Sequence, residues 1–384
     1  MARKQNLPYL IVVLLSTVID LLAPAAATAT DNAVSTDVQR PQTPRAPFPY
    51  AVEEVTFAGA EPNVILAGSL TLPKLQHPLP GVVLIHGSGL TDRDATMSGQ
   101  HKPLLVLADA LTRAGYAVLR YDKRGVGQSS GDFRAATTLD FAGDAAAAMR
   151  YLRARSEIDS KRVALVGHSE GGTIAALLSA TSDPPAASVS LNGMIAPFSE
   201  QLPLQEVLTG KDLGANDDYA VFVNAYYARL MEGLRASDDA ERLAYMSALS
   251  SAWQASFPPG HINHAAASDS LLNRPKLLAS RWFMTVMQLD VATAIRQGTV
   301  PILLANGSTD RQVVAAPNLR VAQNALGTET KLRRTQLLPG LNHVLQESES
   351  GASDEYESIT QTVSPIAIDA VTDFLCLTIG RCQR

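Results

Sequence analysis

Six consecutive residues limit the fold of this chain more than any others: Gly167-His168-Ser169-Glu170-Gly171-Gly172. They follow directly on 163–166, a run apolar enough to be a strand covered on both faces, and lead into an apolar, helically spaced stretch at 171–180. A chain that passes from strand to helix in so few residues must turn sharply. A side chain at Gly167 or Gly171 would then strike the neighbouring strand and helix. The G-x-S-x-G core matches the elbow that raises a serine above a sheet edge. Ser169 would lie at the positive end of the helix dipole, where developing negative charge is favoured.

The surrounding pattern fits such a sheet. Stretches 52–57 and 64–72 read as two antiparallel strands, with Pro73 ending the second. Runs at 81–85, 116–121, 163–166, 300–305 and 335–338 read as further strands. Helical spacing appears at 104–114, 139–154 and 171–180, and again in the apolar C-terminal pattern through Phe374 and Leu375. Strands that alternate with helices predict an α/β fold, a mostly parallel sheet covered by helices on both faces. The apolar fraction of 46% against 18% charged residues excludes disorder for most of the chain. A net charge of −5 lacks the basic stripe of a nucleic-acid binder.

The alternation stops at 195–297, where helical patterns at 216–235, 238–254 and 277–296 follow one another. A helical block inserted between two strands predicts a cap over one end of the sheet. The sheet core is then 50–194 and 298–384. Arg3 and Lys4, an apolar run interrupted by Asp20, and the small residues Ala25-Ala26-Ala27-Thr28-Ala29 form the three-part layout of a secretory signal at 1–29. Asp20 shortens the run below the roughly 20 residues of a membrane span. An exported, periplasmic or secreted protein with no stable membrane insertion after cleavage is expected. Residues 30–49, rich in Pro and Thr, read as a linker. Cys376 and Cys382 are too few for a disulfide scaffold, and either a local disulfide or two free thiols fits them.

A serine hydroxyl needs an oriented base. Of seven histidines, His343 lies in Leu338-Pro339-Gly340-Leu341-Asn342-His343, after the last strand and before the last helix. The acid belongs between serine and histidine in chain order. Asp310, in the turn after the strand at 300–305, fits, with Asp290 in a helical pattern as the fallback. The oxyanion donors expected are the backbone N–H of Glu170, next to the nucleophile, and that of Ser88 in His86-Gly87-Ser88-Gly89, with Gly89 as second choice. His86 is read as a brace of that loop and His168 as a packing residue. His261 and His264 form an H-x-x-H pair with no third ligand, so no metal site is expected there. Arg93 in Asp92-Arg93-Asp94 and Arg124 in Asp122-Lys123-Arg124-Gly125 read as ion-pair braces of loops at the sheet edge.

Taken together, Leu84-Ile85-His86-Gly87-Ser88-Gly89 with Asp92-Arg93-Asp94, Arg120-Tyr121-Asp122-Lys123-Arg124-Gly125-Val126-Gly127, the 167–172 motif, the Asp310 turn and Gly340-Leu341-Asn342-His343 resemble the α/β-hydrolase superfamily. More narrowly they resemble bacterial esterases related to the serine aminopeptidase and dienelactone hydrolase-like groups. The likeness runs from Val52 to Phe374 and is weakest in the helical block. Leu90 departs from the proline expected of relatives, a change that alters loop stiffness. The resemblance implies a serine carboxylesterase for small to medium acyl esters, acting through an acyl-enzyme with Ser169, Asp310 and His343 and without a cofactor. The alternatives are an exported aminopeptidase or dipeptidyl-peptidase-like hydrolase, which would need an acidic cap residue such as Glu200, Glu206, Asp217 or Asp218, and a non-catalytic acyl-binding protein. The partner expected is a small-molecule ester, not nucleic acid; no motif specifies the oligomeric state or the substrate-binding residues.

Overall fold

The computed structural model describes residues 40–76 and 78–381, so the expected export signal and Cys382 lie outside the described residues. Within them runs an eight-stranded sheet. Its strands are β1 (Tyr50–Ala58), β2 (Ile65–Pro73), β3 (Leu79–Ile85), β4 (Ala117–Tyr121), β5 (Ile158–His168), β6 (Ser188–Leu191), β7 (Ile302–Gly307) and β8 (Arg333–Leu338). In space the order is β1-β2-β4-β3-β5-β6-β7-β8. The β1–β2 and β2–β4 pairs are antiparallel, and every later pair is parallel.

The pleat sorts each central strand between two apolar layers. Val82 and Leu84 of β3 join Ala164 and Val166 of β5 beneath α1 (Pro103–Arg113) and the C-terminal helix α12 (Pro365–Ile379). Val83 and Ile85 join Val163 and Leu165 on the opposite face, under α2 (Thr138–Arg153) and α3 (Glu170–Leu178). Thr137 starts α2 with a reciprocal capping box, its hydroxyl facing the Asp140 N–H while Asp140 accepts from the Thr137 N–H. Cys376 on α12 is disulfide-bonded, which leaves the free-thiol reading without support at that residue.

Between β6 and β7 stand α4 (Phe198–Asp212), α5 (Asp218–Gly233), α6 (Asp239–Ser256), α7 (His264–Asp269), α8 (Pro275–Leu278), α9 (Arg281–Gln288) and α10 (Val291–Gln297). They enclose a separate apolar cluster around Trp253, Tyr219, Val223 and Leu249. Trp282 packs against both this cluster and the layer under α2 and α3, which ties the helical block to the sheet. Among the described residues no helix is long and apolar enough to cross a membrane.

Three local readings change. The helical pattern at 277–296 is three helices, because Ser280 caps α9 through the Phe283 N–H and Asp290 caps α10 through the Thr293 N–H. Asp290 is thereby occupied as a cap, and the fallback acid is set aside. Helix α4 forms despite Pro203 inside it, and α11 (Ala315–Leu326) adds a helix between β7 and β8. The described end of the supposed linker is anchored. The guanidinium of Arg40, 4% exposed, donates to the carbonyls of Gly99, Glu357 and Ile359 at 2.6 Å each, and Gln42 donates to the Val363 carbonyl.

Arg40→Ala strands three carbonyl groups with no donor. It is expected to lower the unfolding free energy by about 2 kcal/mol or more. A urea midpoint equal to that of the wild type would show that Arg40 does not anchor this segment.

Candidate active site

Strand β5 meets α3 at Ser169, whose backbone sits at φ 54° and ψ −122°. A non-glycine residue held there is strained, and the contacts on either side explain why it stays. A Cβ on Gly167 would lie 1.9 Å from the Gly171 carbonyl oxygen, and one on Gly171 would lie 2.2 Å from the Ile85 carbonyl oxygen. Backbone therefore crosses backbone at van der Waals distance. The Ser169 N–H donates to the Leu191 carbonyl of β6 at 2.9 Å, which pins the turn to the next strand.

At the same sheet edge the chain brings together the three residues expected from sequence. The Ser169 hydroxyl faces His343 Nε2 at 3.0 Å, and His343 Nδ1 faces Asp310 Oδ2 at 2.9 Å and Oδ1 at 3.1 Å. The His343 and Asp310 side chains are 1% and 0% exposed. Asp310 Oδ1 also accepts from the N–H groups of Gln312 and Val313 at 2.8 and 2.9 Å, so its carboxylate is oriented by the turn it begins. With Nδ1–H directed to Asp310, Nε2 is left as the acceptor that faces the hydroxyl.

Sequence reasoning missed what holds His343 in place. Asn192, at φ 52° just after β6, donates to the Asn342 and His343 carbonyls at 3.0 and 2.8 Å and accepts from the Gly307 N–H at 2.7 Å. His168 Nε2 donates to the same His343 carbonyl at 2.7 Å, so it is a brace of the histidine loop as well as a packing residue. No local signal marks Asn192, because the strand it follows is short and half polar and its left-handed backbone is set by the fold.

The loop after β3 passes beside Ser169: a Cβ on Gly87 would lie 3.2 Å from Ser169 Cβ. Lys123, 1% exposed at its side chain, donates to the Gly87 carbonyl at 2.8 Å and to Glu170 Oε2 at 2.9 Å. The other Glu170 oxygen accepts from Thr138 Oγ1 at 2.6 Å and from the Trp282 indole at 2.8 Å. Burial works against the Glu170 carboxylate, but Lys123, Thr138 and Trp282 outweigh it and hold the group below the usual carboxylate range. Arg93 and Arg124 are the braces expected of them. Arg93 donates to both Asp122 oxygens, and Arg124 grips Asp144 at 2.6 and 2.9 Å. His261 and His264 serve local turns, accepting from the Asn263 N–H and facing the Phe257 carbonyl.

A cavity of about 610 Å³, open in part to solvent, lies over Ser169. Its walls include Met194 and Val313 from the core and Phe198, Leu202, Phe283 and Val286 from the helical block. Glu170 is the carboxylate among its lining residues, and Lys123 neutralises it. Glu206 lines a neighbouring cavity, where it accepts from the Tyr219 hydroxyl and burial raises its pKa.

Residues 82–354 match the model of the alpha/beta hydrolase family. The sequence is 27% identical over 267 residues to the esterase EstD of Thermotoga maritima, covering 70% of this chain and 54% of that protein. The chain thus spans about half the length of that curated relative. A hypothetical protein of Pseudomonas aeruginosa superposes with a TM-score of 0.51 at 16% identity, over 91% of this chain and all of the other. An esterase of Pyrococcus furiosus gives a TM-score of 0.49 at 15% identity, over 86% and 94% of the two chains.

Three buried histidines carry a pH dependence. Burial, reinforced by Lys123, pushes His86 down to about 3, burial with Arg40 pushes His101 down to about 4, and burial pushes His168 down to about 3. All three stay neutral in the folded protein while the unfolded chain takes up protons below about pH 6.5. Their stabilisation is present above that pH and is lost as pH falls toward 4 and 3. Unfolding free energy should drop by about 1.4 kcal/mol per pH unit for each histidine once below pH 6. Urea titrations at pH 7, 6 and 5 measure this, and a flat profile contradicts it.

Proposed function

The chain belongs to the alpha/beta hydrolase family, and from that premise we propose that it is a serine carboxylesterase working through an acyl-enzyme. The observation that carries the reading is the unbroken contact chain from the Ser169 hydroxyl through His343 to Asp310, drawn from three distant stretches. In this reading Ser169 Oγ attacks the ester carbonyl while His343 Nε2 takes its proton. Asp310 holds the ring and stabilises the imidazolium that forms. The N–H groups of Ser88 and Glu170 receive the oxyanion. His343 then gives its proton to the leaving alcohol, and a water activated by the same nitrogen attacks the acyl carbon to free the acid and Ser169.

The lining of the cavity supports a neutral acyl group of small to medium size. Its exposed surface is mostly apolar, from Met194, Phe198, Leu202, Phe283, Val286 and Val313, and its one carboxylate is already paired. A peptidase that grips a free amine would want an unpaired carboxylate there. Of the acidic residues considered for that part, Glu206 lines a different cavity, and Glu200, Asp217 and Asp218 are exposed. The name of the Thermotoga relative supports the same class of bond.

Ser169→Ala should abolish labelling by a fluorophosphonate and turnover of p-nitrophenyl butyrate. A label that persists in that variant overturns the assignment. Asp310→Asn, which keeps the shape but favours the wrong tautomer, should lower kcat by about 10⁴. Turnover of a p-nitrophenyl ester should exceed that of an aminoacyl p-nitroanilide by a wide margin, and the reverse order would favour the peptidase.

A further inference from the structure

We propose that Lys123 is a positioning residue of the oxyanion hole, acting on both donors at once through the Gly87 carbonyl and the Glu170 side chain. The inference rests on the acyl-transfer reading above and adds a part to it. A peptide unit is planar, so the carbonyl of Gly87 and the N–H of Ser88 are two ends of one rigid group pointing in opposite directions. An ammonium at 2.8 Å from that carbonyl dictates which way the Ser88 N–H points. It also polarises the amide, and hydrogen bonds coupled in this way strengthen one another. The same ammonium holds Glu170 Oε2 at 2.9 Å, on the residue whose own N–H is the second donor.

The remaining face of the ammonium lies over the Phe141 ring, 4.2 Å from its centroid. Its surroundings are therefore Gly87, Glu170 and an aromatic face, and its effect on the reaction passes through the backbone. Lysine is almost never fully buried unless paired, and burying such a charge costs several kcal/mol. A loop brace alone could be made from neutral groups. What a cation adds is a fixed field on the two amides that face developing negative charge. Trp282 of the cap donates to Glu170 Oε1 at 2.8 Å, so the seating of α9 is joined to the same unit.

The test compares Lys123→Met with Lys123→Met/Glu170→Gln. The double variant leaves no unpaired charge and keeps an amide for Thr138 and Trp282 to address. The double variant should turn over p-nitrophenyl acetate with kcat lowered about 10- to 100-fold and KM within about twofold of the wild type. The Ki of a trifluoromethyl ketone, whose adduct carries the oxyanion, should rise by the same factor. Unchanged kcat and Ki overturn the proposal. So does a fall in kcat without a rise in Ki, since that is loss of packing. Should neither variant fold, the wild-type protein crystallised with the ketone decides. Ser88 N and Glu170 N both within hydrogen-bond reach of the adduct oxygen, with Lys123 still on the Gly87 carbonyl, supports it; a displaced oxygen or a detached Lys123 overturns it. Absence of fluorophosphonate labelling at Ser169 of the wild type would instead sink the esterase reading itself.

Discussion

The crossing of β5 and α3 at Ser169 is the constraint from which the site follows. Two glycines let backbone pass against backbone, and no larger residue can enter without pushing strand and helix apart. Once they are in place, Ser169 has no room to relax into an ordinary conformation and stands at φ 54° above the sheet edge. The strain is held by contacts that belong to the fold, including the hydrogen bond from Ser169 N–H to β6. The position of one hydroxyl is thus set by the packing of the whole central sheet.

That packing also explains how residues so far apart in the chain reach one place. Parallel strands end at one edge, and the loops that leave β3, β5, β6 and β7 all begin there. Asp310 follows β7, Asn192 follows β6, and the histidine loop follows β8. Asn192 joins three of these by donating to the Asn342 and His343 carbonyls and accepting from Gly307. A loop that carried His343 without such ties would not hold its ring at 3.0 Å from a hydroxyl.

Sequence alone exposed the parts whose chemistry leaves a local signature. The elbow announces itself through glycines at fixed spacing, and Asp310 and His343 through the order of turns after strands. It did not expose β6, because Ser188-Val189-Ser190-Leu191 is short and half polar. Ser190 sits close against α3: a Cβ on Gly172 would lie 2.7 Å from its Oγ. Helix α4 was hidden by Pro203, and the long helical pattern at 277–296 concealed two caps, Ser280 and Asp290. The pairing of Lys123 with Glu170 spans 47 positions and has no periodicity to betray it. Local physics leaves a mark in sequence; contacts made only by closure of the fold do not.

The most expensive features of the molecule gather within this small region. Ser169 carries backbone strain, His86 is buried against the Tyr121 ring, and Lys123 and Glu170 form a charged pair almost without solvent. Elsewhere the chain follows ordinary rules, with apolar layers on both sheet faces and capped helices. A chain selected for stability alone would replace a buried ion pair with matched apolar side chains, often at no cost. Such a replacement would leave the Gly87 carbonyl with no cation and the 170 side chain with no reason to hold Trp282. Retaining the pair makes physical sense where a fixed field is worth more than a more stable core, as at the amides beside Ser169 in the proposed reaction. The local violations of good packing and the candidate chemistry thus coincide because they have one cause.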